Sequence, residues 1–111
     1  MPSASLQTIA ERTLFAVAAT GEKRTFRLAI GRPYRVDAVS WACPVALDGL
    51  HDRLHDIAGT DAWQALTLAL NPTRQLLGYF VEDGGRLYWE EGGEALRLAD
   101  LFPWLPFDTT A

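Results

Sequence analysis

The stretch from Trp41 to Leu70 constrains this chain more than any other part of it. Trp41, Cys43, Val45 and Leu47 alternate with Ser40, Ala42, Ala46 and Asp48, the period of a half-buried strand. Gly49 closes that run. Further on, Gly59-Thr60-Asp61 leads into Trp63-Gln64-Ala65-Leu66-Thr67-Leu68-Ala69-Leu70, where the apolar spacing lengthens to that of an amphipathic helix. Asp61 is the expected N-cap, and Gln64, three residues later, completes a capping-box-like pair. A strand handed over to a helix through a cap points to an α+β fold. The expected form is a small antiparallel β-sheet of about 4–5 strands packed by one main helix.

The remaining segments fit that scheme. Ile9 to Ala19 is rich in strand formers, Thr20-Gly21-Glu22 supplies a turn, and Phe26, Leu28 and Ile30 alternate with Thr25, Arg27 and Ala29, so the two runs predict a hairpin. In the first run Leu14 and Ala16 oppose Phe15 and Val17, which leaves its inward face undecided and allows a bulge. Gly31-Arg32-Pro33 breaks the second strand, and a polar loop is expected before Ser40. Pro44 cannot donate a ladder bond and marks an edge position or a bulge. His51 to Ala58 fits a strand or a short helix equally well. Helical spacing puts Trp63, Leu66, Leu70, Leu77 and Phe80 on one stripe, with Pro72 predicting a helix kinked or split near Asn71. Leu87-Tyr88-Trp89 begins a further strand, Glu90-Glu91-Gly92-Gly93-Glu94 turns, and Ala95 to Leu101 is a last apolar segment. Phe26, Leu28, Ile30, Trp41, Cys43, Val45, Leu66, Leu70 and Leu77 are expected to share one core. Residues 1–7 read as a frayed end. Residues 101–111, which include Leu101-Phe102-Pro103-Trp104-Leu105-Pro106-Phe107, read as an apolar strap for a groove of the chain's own domain or for a partner.

At 111 residues the chain reads as a single domain, 1–111, able to form a core without disulfide or metal staples. The lone cysteine, Cys43, lies in an apolar alternation, so a reducing cytoplasm is the expected compartment. No apolar run approaches the roughly 20 residues that span a bilayer, and the N-terminus lacks the cationic start and apolar stretch of a signal peptide. The expectation is a cytoplasmic protein without a membrane partner.

Charge is divided unevenly. Residues 1–40 carry a net +3 and residues 41–111 a net −7. The second half repels phosphates, and the basic residues of the first are spaced by strand alternation without aromatic interleaving, which argues against nucleic acid. An acidic face suits a basic protein partner.

Chemistry-bearing patterns are few. His51-Asp52-Arg53-Leu54-His55-Asp56 places two His-Asp pairs four residues apart, one face of a helix and a common divalent-metal arrangement. On a strand the same residues stand about 13 Å apart, too far to share an ion. His51, Asp52, His55 and Asp56 therefore define the alternative reading, a small metal-dependent hydrolase, against a solvated polar segment. Cys43 reads as a buried, inert thiol. No nucleophile elbow, phosphate loop or dinucleotide fingerprint occurs, so neither a cofactor nor a catalytic residue is assigned. Glu90, Glu91 and Glu94 form an acidic turn, and Trp104 and Phe107 are candidate aromatic anchors. These five residues are the candidate partner-binding set. A homodimer that buries the tail is a third reading.

Ile9-Ala10-Glu11-Arg12-Thr13 through Ile30-Gly31-Arg32-Pro33, Trp41-x-Cys43-Pro44, Gly49-Leu50 and Gly59-x-Asp61-x-x-Gln64-Ala65-Leu66-x-Leu68-Ala69-Leu70 resembles a family of small uncharacterised bacterial proteins. Nine arginines against one lysine suit a GC-rich bacterial genome. The resemblance covers about two thirds of the chain, implies structural roles for its motif residues and carries no activity with it. Short single-domain proteins without catalytic signatures are similar to the immunity proteins that bacteria encode beside polymorphic toxins. The resemblance therefore implies a non-enzymatic protein-binding module, such as an immunity protein or antitoxin neutralising a cytosol-acting toxin. Its expected partner is a basic toxin domain.

Overall fold

A computed structural model describes residues 7–52 and 54–103. The strand formers at the start of the chain build a long hairpin. Its arms are β1 (Thr8–Val17) and β2 (Lys23–Gly31), antiparallel, with Arg12 opposite Leu28 and Leu14 opposite Phe26. Gly21 takes φ 94° in the connecting turn, a left-handed conformation that favours glycine. Leu14, Ala16 and Phe26 face the main core. Phe15 points the other way but is also buried, its ring 6.4 Å from that of Tyr88. Both faces of β1 are thus covered near its end, which is why alternation could not pick one.

The expected polar loop after Pro33 contains a strand. β3 (Tyr34–Asp37) pairs with β4 (Ser40–Cys43) across a tight turn, in which the Val39 N–H and the Ser40 hydroxyl donate to Asp37 Oδ1 at 2.9 and 2.8 Å. Tyr34 and Val36 are strand formers, and Asp37 supplies the turn chemistry.

Pro44 then divides one alternating run between two sheets. β4 lies at the centre of a three-stranded sheet, β3-β4-β6, with β6 at Ile57–Gly59. β5 (Val45–Asp48) instead pairs with β2 in a four-stranded sheet, β5-β2-β1-β7, with β7 at Arg86–Tyr88. Pro44 has no N–H to offer either ladder, while its carbonyl accepts from the Gly31 N–H at 2.9 Å. The position is a changeover between sheets, and the strands number seven among the described residues. Of the described residues from His51 to Ala58 only the last two enter a strand; His51 makes an isolated bridge to Leu47.

Asp61 caps α1 (Ala62–Glu82) as expected, its carboxylate accepting from the Gln64 N–H at 2.7 Å. The Gln64 side chain reaches back to the Thr60 N–H, at 2.8 Å, one residue further out than a capping box requires. The helix runs unbroken through Pro72. Next to Pro72, the Thr73 hydroxyl donates to the Leu70 carbonyl at 2.7 Å.

The inward stripe of α1 is Ala65, Ala69, Thr73 and Leu77, each at 0 % exposure. Leu66 and Leu70 are half-buried, and Trp63, expected on the buried stripe, is 78 % exposed. The cause is close approach: a Cβ on Gly59 would stand 2.5 Å from the Ala65 nitrogen. Only small side chains let the β6 backbone abut the helix, so the alanines turn inward and Trp63 swings out.

The single expected core is two clusters. Leu14, Phe26, Leu47, Leu77, Leu87 and Phe102 belong to one, and Cys43, Val45, Ala65 and Ala69 to the other. A short α2 (Leu98–Leu101) closes the described chain. Among the described residues no helix is long and apolar enough to cross a membrane.

Candidate functional site

β7 covers only the end of β1, pairing with Phe15, Ala16 and Val17. From Thr8 to Thr13, β1 therefore has β2 along one edge and, among the described residues, no strand along the other. The acidic turn is the reason. After Tyr88 the chain doubles back, with the Trp89 N–H donating to the Glu94 carbonyl at 3.0 Å and the Gly93 N–H to the Glu90 carbonyl at 2.8 Å. Gly92, at φ 76°, permits the reversal, and Tyr88 bridges Ala95.

Beside the open edge lies a groove of about 350 Å³. Leu28, Ile30 and Val45 line it from the sheet, and Leu70 and Thr73 from α1. Trp89 and Phe102 complete an apolar lining, since the Thr73 hydroxyl is occupied by the Leu70 carbonyl. A groove of this size and character suits an apolar side chain or a short run of them.

Its rim is charged. Arg12 stacks its guanidinium 4.8 Å from the centre of the Trp89 ring, a cation–π contact. Glu11 accepts from Arg27, which also donates to Asp48 at 3.1 Å and to the Thr8 hydroxyl at 2.9 Å. The Glu11 hydrogen bond is the main cause holding the Arg27 pKa above its ordinary value. Asp100 accepts from the Arg97 N–H at 2.8 Å. Directly after Trp89 come Glu90 and Glu91, and then Glu94, all three exposed. Among these rim and turn residues the carboxylates of Glu11, Asp48, Asp100, Glu90, Glu91 and Glu94 outnumber the guanidiniums of Arg12, Arg27 and Arg97.

The other candidate residues are placed differently. His51, Asp52 and His55 are exposed on an irregular segment, and the two histidines do not share a helical face. Asp56 accepts a hydrogen bond from the Tyr34 hydroxyl, and that bond is the largest cause raising the phenol pKa above its usual value. Among the described residues no group of three or more His, Cys, Asp and Glu side chains is arranged to hold a metal ion. Cys43 is fully buried, and its thiol donates to the Gly31 carbonyl at 3.4 Å. Trp104 and Phe107 lie outside the described residues.

The acidic turn is legible in the sequence, but the groove and the open edge beside it are not. The one local signal for them is Gly92-Gly93, a reversal that begins four residues after Tyr88, the end of a strand only three residues long.

A family model described as a domain of unknown function (DUF6968) matches residues 10–99, and the chain belongs to that family. No curated protein and no solved structure matches the chain.

Proposed function

We propose that this family member is a non-enzymatic protein-binding module whose site is the groove beside β1 together with the acidic turn at its mouth. The supporting observation is their continuity. Trp89 lines the groove, and the next residues along the chain are Glu90 and Glu91. An apolar lining beside an acidic rim suits a partner that offers apolar side chains within a basic surface. The finer reading is an immunity protein or antitoxin that neutralises a basic, cytosol-acting toxin. Trp104 and Phe107 are proposed as additional aromatic anchors for that partner.

The test uses a basic toxin domain encoded beside this chain. Rim charges act mainly on association, so replacing Glu90, Glu91 and Glu94 together by lysine should lower the on-rate about tenfold at low salt and flatten its salt dependence. All three residues are exposed, so the fold should be unaffected. Unchanged kinetics would sink the acidic turn as a binding surface.

A further inference from the structure

We propose that the partner enters as an added strand: an extended segment with alternating apolar and basic residues pairs with the open edge of β1 between Thr8 and Thr13. This rests on the binding reading above and specifies its mode. The open stretch is six residues long, room for about 20 Å of extended chain. Added strands gain affinity from main-chain hydrogen bonds and specificity from alternate side-chain pockets.

Both halves of that recognition are present. Ala10 and Arg12 pair with Ile30 and Leu28 and share their face, whereas by strand alternation the side chains of Glu11 and Thr13 point to the other, where Glu11 meets Arg27. A strand laid beside them directs one set of side chains into the groove, where Leu28, Ile30 and Leu70 ask for apolar groups. Its other set passes Glu11. Glu11 and Asp48 share the single guanidinium of Arg27, two carboxylates to one cation beside this stretch of β1. Asp100 lines the groove, and the acidic Glu90 and Glu91 follow directly on Trp89, which lines it too. The outward residues of the occupant are therefore basic. The same complementarity favours a basic partner segment over the chain's own C-terminal segment, whose one ionisable side chain, Asp108, is acidic.

The probe is a capped heptapeptide of alternating lysine and valine, titrated calorimetrically into the full chain. In a strand pair, alternate peptide N–H groups face the neighbour. N-methylation of one alternate set should weaken binding about tenfold, and methylation of the other set should leave it unchanged. Ala10→Trp, at an exposed residue lining the groove, should abolish binding without lowering the melting temperature. Equal effects of the two methylated sets, or binding that survives Ala10→Trp, would overturn strand addition. So would failure of the heptapeptide to bind; if the Glu90, Glu91 and Glu94 variant still slowed association of the toxin domain, the binding-module reading would stand without it. An alternating glutamate and valine peptide that bound as tightly would remove the basic partner. A loss of thermal stability or of a dimer in Ala10→Trp alone would assign the groove to the chain's own C-terminal segment or to a second copy, and overturn the proposal.

Discussion

Cys43 sits where β4 meets Pro44, fully buried against Ala65 and Ala69. Burial, with a smaller contribution from the charge of Asp56, raises its thiol from an ordinary 9.0 to about 11. The unfolded chain therefore releases this proton near pH 9, and the folded chain holds it to about pH 11. Within that window the folded state binds more protons, so stability falls as pH rises, by at most ~1.4 kcal/mol per pH unit. Below pH 9 the thiol contributes no slope. Tyr34 adds a loss of the same sign, because its phenol pKa is also raised. Cys43→Ala should accordingly flatten, without abolishing, the decline in urea-denaturation stability between pH 9 and 11. A variant with the wild-type slope would show that the thiol titrates alike in the folded and unfolded chain. The same burial makes Cys43 a poor nucleophile, as its place in an apolar alternation implied.

At the scale of elements, what could be read from sequence was what is decided locally. Asp61 is followed at helical spacing by Gln64, and Gly21 sits between two strand runs; both signals depend only on neighbouring residues. The division of one strand at Pro44 was not legible, because it depends on which strand lies on each side: β6 pairs with the first half and β2 with the second. The alanine stripe of α1 was not legible either. Hydropathy favours the leucines, and the contact that overrides it, Gly59 against Ala65, joins β6 to the first turn of the helix in space. Leu77 satisfies both criteria, lying on the helical stripe and at 0 % exposure in the main core. Leu77→Ala should therefore cost about 2–5 kcal/mol in chemical denaturation. A cost below about 1 kcal/mol would mean that α1 is not anchored through this residue.

For the whole molecule, the split of charge between a basic first half and an acidic second half does not become two separate faces. The four-stranded sheet sets Arg27 of the first half beside Asp48 of the second, and Arg12 over Trp89. Glu90, Glu91 and Glu94 stay exposed where the chain turns back after β7, directly after Trp89, which lines the groove. The acidic turn was readable because it is contiguous in sequence. The groove was not, since its lining comes from β1, β2, β5, α1 and α2, and among the described residues the edge beside it is left open because β7 stops at Tyr88. The proposed binding site is this edge and groove. It is tested most directly by mapping backbone amide shifts in the full chain as the alternating lysine and valine heptapeptide is added. The largest changes should fall on Thr8 to Thr13 of β1, on Trp89 and on Leu70 and Thr73 of α1. Changes centred instead on the outer edge of β3, from Tyr34 to Asp37, with β1 unmoved, would contradict the account.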